Sequence, residues 1–300
     1  MTRLDGILPP ITTPFDGRGE LDLAAIERNL EHYNATRLAG YVAFGSNGEA
    51  VHLTSEERAR VLAAVRRAAA PGRAVVAGVN ELSTRAAVAA TRAAADAGAD
   101  AALVITPYFY KQGMTQEVLR RFYLEVADAS PLPVLVYNVP QNTGVVIEPA
   151  TLAELAAHER IVGVKDSAGN LGALSDTVRR APAGFRTLVG NAGVLYPALL
   201  MGAAGAVLAV ACVAPEATVE LYEAARAGEH ERARDLQHRL APLAHLVTAG
   251  YGVAGLKAAL DLAGLYGGPP RGPLQPLGGA ERERLAAAMR ETGLFSHAAA

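Results

Sequence analysis

The chain carries one cysteine and no tryptophan, and aromatic residues make up only 5% of it. A lone cysteine closes no intrachain disulfide, and Cys212 sits in the apolar run Leu208-Ala209-Val210-Ala211-Cys212-Val213, so it reads as a small core residue. Nothing in that usage calls for an oxidising compartment. Charge of one sign is missing too: 28 basic residues stand against 30 acidic ones, for a formal net charge of −2 and a pI near 6.4. Neither nucleic acid nor an anionic membrane is therefore expected as a partner. The pairs Arg66-Arg67, Arg120-Arg121 and Arg179-Arg180 fall on or near predicted helices, the first and last towards C-termini where cations complement the dipole, and read as structural. No apolar stretch approaches the length of a membrane span, and the N-terminus Met1-Thr2-Arg3-Leu4-Asp5-Gly6 lacks the apolar core of a signal peptide, so the expected location is the cytoplasm. The seven histidines are scattered; His32, His52 and His158 make no His-x-His or His-x-x-x-His pair. Glu49 and Asp166 are single carboxylates beside a glycine turn and a lysine, which more often accept hydrogen bonds or pair with a cation than bind a metal. No metal is expected, and activity is expected to survive chelators.

What the chain does have is apolar content, 51% of 300 residues, arranged as short apolar runs alternating with longer amphipathic segments as far as residue 228. That alternation argues for βα units and a parallel sheet. Eight candidate strands, at 6–12, 40–44, 74–77, 101–105, 134–137, 161–165, 186–189 and 206–209, are the number that closes a barrel. A doubly wound open sheet is the main competitor, but no Gly-x-Gly-x-x-Gly follows the first strand and no Walker A sequence occurs. Helix starts are marked, as at Thr54-Ser55-Glu56-Glu57, where Thr54 or Ser55 can cap, and at Leu82-Ser83-Thr84, opening an alanine-rich helix that runs to Ala97 before Gly98. Beyond residue 228 the strand pattern stops, and three helices are predicted at 231–249, 253–265 and 280–291, the last two separated by the rigid connector Tyr266-Gly267-Gly268-Pro269-Pro270-Arg271-Gly272-Pro273. The fold expected is a (β/α)8 TIM barrel over residues 1–228 with a C-terminal helical extension over 229–300. The final His297-Ala298-Ala299-Ala300 is expected to be frayed.

In such a barrel the reactive groups come from the C-terminal strand ends and the loops after them. Lys165 ends the run Ile161-Val162-Gly163-Val164 and is followed by the polar turn Asp166-Ser167-Ala168-Gly169-Asn170. A strand-end lysine is most often simply solvated. Here Tyr137 ends an equivalent run, Pro133-Val134-Leu135-Val136, one repeat earlier, which places two polar groups at the same end of adjacent strands. Partial desolvation disfavours an ammonium ion and leaves more free amine to attack a ketone and form a Schiff base, and a tyrosine beside it can shuttle protons. After the second strand, Gly45-Ser46-Asn47-Gly48-Glu49 offers backbone N–H groups, the Ser46 hydroxyl and the Asn47 amide to a carboxylate, or is an ordinary βα turn. Thr106-Pro107-Tyr108-Phe109-Tyr110-Lys111 walls a pocket or packs against a neighbouring subunit. Tyr137-Asn138-Val139-Pro140-Gln141-Asn142-Thr143-Gly144 is a tightly specified loop; Asn142, Ser167 and Asn191 are hydroxyl-binding candidates, Gly190 leaves room for a substrate to approach, and Val207 stands among the substrate-facing positions.

These residues resemble the pyruvate-dependent class I aldolase and lyase superfamily of dihydrodipicolinate synthase and N-acetylneuraminate lyase, over nearly the whole chain. Gly45-Ser46-Asn47-Gly48-Glu49 matches its pyruvate-carboxylate loop, Tyr137-Asn138-Val139-Pro140 its catalytic tyrosine motif and Val164-Lys165-Asp166-Ser167 its Schiff-base lysine motif. The resemblance implies a homotetramer, a small 2-oxo acid substrate held as an imine on Lys165, and no cofactor or metal. It implies further that dihydrodipicolinate synthases carry an arginine for the second substrate's carboxylate where this chain has Asn142. Asn142-Thr143-Gly144 and Lys165-Asp166-Ser167, with Leu236-Gln237-His238-Arg239-Leu240, Gly255-Leu256-Lys257 and Tyr266-Gly267-Gly268-Pro269 in the tail, are most similar to 4-hydroxy-2-oxoglutarate aldolases. Aldolases or dehydratases of 2-keto-3-deoxy sugar acids would use the same imine, and a non-catalytic 2-oxo acid-binding barrel is the reading from another class. One departure stands out: many members place a tyrosine, often donated across a subunit interface, at the position of Phe109, so Tyr108, Tyr110 or Ser46 with water is expected to complete the proton relay. With Ala50, Ser55 and Arg58 near the places of a lysine feedback site, no feedback by lysine is expected.

Overall fold

The computed structural model describes residues 4–295, and the expected fraying of 297–300 lies outside them. Eight parallel strands, β1 (Gly6–Leu8), β2 (Gly40–Ala43), β3 (Ala74–Val79), β4 (Ala101–Ile105), β5 (Val134–Asn138), β6 (Ile161–Asp166), β7 (Arg186–Val189) and β8 (Gly205–Val207), run in the order β1-β8-β7-β6-β5-β4-β3-β2. The ring is completed between β1 and β2 by a bridge of Pro10 to Val42, where the Val42 N–H donates to the Pro9 carbonyl at 3.0 Å and Ile11 N–H to the Val42 carbonyl at 3.0 Å. The protein is thus a (β/α)8 barrel, as its apolar runs predict.

Those runs are continuous because both strand faces are buried. Leu8, Val42, Val76, Leu103, Leu135, Leu188 and Val207 pack inside the barrel, while Ile7, Val75, Val104, Val136 and Val164 pack outwards against the helices. β3, β5 and β6 run one or two residues further than predicted, β2 stops one short, and two predicted strands overrun by two residues or more. The first strand stops at Leu8 rather than at residue 12, because Pro9 and Pro10 have no N–H for a ladder. The eighth ends at Val207 rather than 209, because Ala209 already has helical dihedrals and caps the helix Val210–Val213.

Helix starts follow the sequence signals. Thr54 caps Ser55–Ala68 in a reciprocal capping box with Glu57, and Ser83 caps Thr84–Asp96. The arginine pairs make surface ion pairs, Arg66 with Asp100, Arg67 with Glu27, Arg120 with Glu117, and Arg179 and Arg180 with Asp176. Cys212 is fully buried, and burial pushes its thiol far up in pKa.

The tail begins after Gly228, which takes the left-handed conformation (φ 77°) that closes the helix Pro215–Ala227. Its three helices are His230–His245, Gly252–Leu262 and Gly279–Glu291. The first was predicted to run to 249 and instead loosens into a wider turn over Leu246–Gly250, where the Tyr251 N–H reaches the Leu246 carbonyl at 2.8 Å. Pro242 inside the helix removes a backbone donor one turn earlier. Leu236, Leu240, Leu243, Leu256 and Leu260 join the outer core of the barrel, so the tail is packed onto it rather than tethered.

Candidate active site

Register explains why the two polar strand ends meet. In the parallel pair β5–β6, Tyr137 lies opposite Lys165, and both side chains point into the barrel mouth. The Lys165 Nζ stands 4.1 Å from the centroid of the Tyr137 ring, and each residue is 4% exposed. The Tyr137 hydroxyl lies 3.3 Å from Ser46 Oγ, and the Asn142 amide donates to the same Ser46 oxygen at 3.1 Å. Burial alone pushes the Tyr137 phenol up; the Lys165 charge and hydrogen bonds with Ser46, Lys165 and Ser167 together outweigh it and leave the phenol below its ordinary value. A phenol that gives up its proton readily beside an amine is suited to moving protons at a forming carbinolamine.

Ser46 is carried by a single 3-10 turn, Ser46–Gly48, after β2. The turn is pinned beneath by the Thr13 hydroxyl, which donates to the Gly48 carbonyl at 2.7 Å. Two non-glycine residues flank it in the left-handed region, Phe44 (φ 59°) and Glu49 (φ 51°). On the other side, Ser167 follows Lys165 by two residues and so lies on the same face as the amine. Its backbone is tied down by the Asn138 carbonyl, which accepts the Ser167 N–H at 2.9 Å, and by Gln141, which donates to the Ser167 carbonyl at 2.6 Å. Asp166 points the other way, accepting from the Ala168 N–H at 2.7 Å, and burial raises its carboxyl above the usual carboxylate value.

These groups line one cavity of about 520 Å³, whose wall includes Ser46, Asn47, Tyr137, Asn142, Lys165 and Ser167 together with Gly190, Asn191 and Val207. Of the other residues singled out in the sequence, Gly45 and Gly48 shape the turn but do not line the cavity. The aromatic cluster divides. Tyr108 borders an adjoining cavity of about 240 Å³ that shares Ser46 and Asn142, whereas Phe109 and Tyr110 are 72% and 75% exposed and stack edge to face on each other outside both cavities.

Two features of the cavity wall lie beyond what the sequence suggests. Gly190, read as room for a substrate, lines the cavity, and a Cβ there would lie 1.9 Å from Ser167 Oγ. Glycine is required by the protein's own packing. The tail, read as an appendage or an oligomerisation face, supplies a wall of the cavity through Ala241, Ala244, His245, Thr248, Ala249, Gly252 and Val253. Small residues on a helix carry no local signal of that role. Among the described residues no group of three His, Cys, Asp or Glu side chains is placed to hold a metal, and no helix is long and apolar enough to cross a membrane.

Comparison with known proteins agrees along nearly the whole chain. The model of the dihydrodipicolinate synthetase family matches residues 3–292. A protein named 4-hydroxy-tetrahydrodipicolinate synthase from Methanothrix thermoacetophila is 38% identical over 273 residues, 91% of each chain. A DapA-like lyase of Halobacterium salinarum is 39% identical over 292 residues, covering 97% of this chain and 95% of that one. Among solved structures, dihydrodipicolinate synthase of Acinetobacter baumannii in complex with pyruvate superposes with a TM-score of 0.93 at 33% identity, covering 97% of this chain and all of the other. A barrel matched from end to end and a family model that spans both barrel and tail assign the protein to an enzyme class: it belongs to the dihydrodipicolinate synthetase family of lyases.

Proposed function

We propose that the protein is a class I aldolase that cleaves a 4-hydroxy-2-oxo acid to pyruvate and an aldehyde through an imine on Lys165, with 4-hydroxy-2-oxoglutarate, which would yield glyoxylate, as the first substrate. The observation that carries the reading is the buried Lys165 amine 4.1 Å from the Tyr137 ring, with the Tyr137 hydroxyl within reach of Ser46 on a cavity wall. The carboxylate of the 2-oxo acid is held by Ser46 and Asn47. Lys165 attacks the C2 ketone, and Tyr137 passes the proton that lets the carbinolamine lose water. In the protonated imine, Tyr137 takes the proton of the C4 hydroxyl, the C3–C4 bond breaks, and its electron pair moves to the imine nitrogen as the enamine forms and the aldehyde leaves. Protonation at C3 and addition of water to the imine release pyruvate and return the free amine. No metal or organic cofactor takes part. Pyruvate in the Acinetobacter relative supports the 2-oxo acid half of this assignment, and membership of the family supports a homotetramer.

A second reading, cleavage or dehydration of 2-keto-3-deoxy sugar acids, is favoured by one specific observation. Apart from Lys165, no lysine or arginine lines the cavity, and away from Ser46, Asn47 and Tyr137 its polar wall is Gln141, Asn142, Ser167, Asn191 and Thr248 with His245. Neutral amides and hydroxyls match a polyol better than a second carboxylate. Synthesis of 4-hydroxy-tetrahydrodipicolinate, the activity in the archaeal relative's name, ranks lower, because position 142 offers an amide already turned to Ser46. The deciding experiment is borohydride reduction with intact-mass analysis, using pyruvate, 4-hydroxy-2-oxoglutarate and 2-keto-3-deoxygluconate on the parent and on Lys165→Ala. An adduct on the parent alone establishes the imine, and the aldehyde released identifies the substrate. No adduct on the parent overturns the aldolase and leaves a non-catalytic 2-oxo acid-binding barrel.

A further inference from the structure

The turn that presents Ser46 and Asn47 ends at Glu49, a non-glycine residue held in the left-handed region at φ 51°, ψ 35°, which an L side chain seldom adopts unless its surroundings impose it. Those surroundings come from the tail. The Glu49 side chain is wholly shielded from solvent, and its Oε1 lies 2.6 Å from the Nζ of Lys257, which is 1% exposed. The Glu49 Oε2 accepts the Arg271 backbone N–H at 2.8 Å and lies 3.3 Å from His52 Nδ1. Lys257 belongs to the tail helix Gly252–Leu262 and also donates to the Pro269 carbonyl at 2.9 Å. Both tail cations face the ring of Phe15, the Lys257 Nζ at 4.5 Å and the Arg271 guanidinium at 4.2 Å. Arg271 is fixed in turn by a two-pronged pair with Glu57, at 2.7 and 2.8 Å.

A buried carboxylate and a buried ammonium each cost much to desolvate, so such a pair is weak evidence of stabilisation in itself. Its placement points to another role. The three atoms that take the Glu49 carboxylate come from two tail segments and from His52, and the backbone they hold is the residue that caps the Ser46–Gly48 turn, whose first residue, Ser46, meets Tyr137.

We infer that Glu49 and Lys257 are positioning residues: by holding the left-handed end of the Ser46–Gly48 turn, they fix the hydroxyl and amide that receive the carboxylate of the 2-oxo acid, and so make that site depend on docking of the tail. The substrate half of this inference rests on the function proposed above. Neither residue touches the cavity; both act through the backbone.

The test uses the full chain with Glu49→Gln, Lys257→Met, the double variant, and Glu49→Gly combined with Lys257→Met. Two readouts are taken: hydrogen exchange of the peptide spanning residues 45–49, and the pyruvate concentration that half-saturates borohydride trapping. Glu49→Gln and Lys257→Met are expected to speed exchange in that peptide and to raise half-saturating pyruvate about tenfold, the change that about 1.4 kcal/mol of lost pre-organisation gives, while trapping at saturation is retained. Because glycine occupies the left-handed region without a partner, the combined Glu49→Gly variant is expected to restore half-saturation towards the parent while thermal stability stays lowered. Unchanged exchange at 45–49, or lowered stability with parental half-saturation in every variant, overturns the inference. A parent that traps no pyruvate would sink the aldolase reading alone, since the exchange readout still decides whether the pair holds the turn.

Discussion

Replacing Gly190 with alanine would put a methyl group where Ser167 already stands. A Cβ on the Gly190 backbone would lie 1.9 Å from Ser167 Oγ, 2.9 Å from its Cβ and 3.0 Å from its Cα, against an ordinary heavy-atom contact of roughly 3.5 Å. Rotating the serine clears only the hydroxyl; the other two overlaps require the ends of β6 and β7 to part, and the Gly190 N–H bond to the Asp166 carbonyl at 2.7 Å opposes that. Overpacking of this kind costs about 1–3 kcal/mol. Lys165 lies two residues from Ser167, so the displacement passes to the amine, and misplacement on the order of 1 Å costs about 100-fold in rate. Gly190→Ala is therefore expected to melt several degrees below the parent and to lose about 10- to 100-fold in kcat/KM, read by thermal unfolding and by pyruvate release. Adding Ser167→Gly removes two of the three overlaps and should recover stability, without the hydroxyl that helps hold the Tyr137 phenol below its ordinary value. Parental melting and parental kcat/KM in Gly190→Ala would refute the reasoning.

Tyr137→Phe deletes the phenol beside Ser46 and should lower kcat by about 100- to 10,000-fold while borohydride trapping persists, slowed. Because the Tyr137 phenol sits below its ordinary value of 10.0, the parental pH–rate profile should fall on the alkaline side below that value, and an alkaline limb unchanged in the variant would assign it elsewhere. Glu57, hydrogen-bonded to Arg271, is lowered from 4.5 to about 2 in the folded chain. Its contribution, up to about 3 kcal/mol, is thus present above pH 4.5 and disappears as the pH falls towards 2; Glu57→Gln should show a deficit in urea unfolding at pH 7 that shrinks at pH 3, and a constant deficit would contradict the linkage. The Cys212 thiol, buried and pushed up in pKa, should resist iodoacetamide at pH 8 in the folded protein and react on unfolding in urea; labelling of the native state would show that the core opens there.

The barrel was legible because its strands are buried on both faces and so stand out as unbroken apolar runs, and the two longest overruns fall where backbone chemistry rather than hydropathy decides, at Pro9-Pro10 and at Ala209. Lys165 and Tyr137 could be paired from sequence because parallel strands of successive βα units keep their C-terminal ends at one rim, and the register sets them opposite each other. Asn142 was read as a group for substrate, and its amide turns to Ser46 because the helical turn Pro140–Thr143 brings it over the neighbouring loop. The Glu49–Lys257 pair joins residues far apart in the chain, and charges brought together only by tertiary folding leave no spacing to read. The same holds for the alanines and Gly252 of the tail, whose smallness looks like helix packing until the cavity beside them is seen.

The tail wall has a consequence for how the molecule comes into being. Every polar group at the strand ends, from Ser46 to Asn191, leaves the ribosome before any of residues 241–253 that complete the cavity, and Lys257 and Arg271 follow later still. A nascent chain with all eight strands paired would thus carry the Lys165 amine in a groove open along one side, with the Ser46–Gly48 turn not yet clamped. The residues that close the cavity and clamp the turn are made after every strand, so a chain stalled before residue 241 lacks that wall whatever its strands have done.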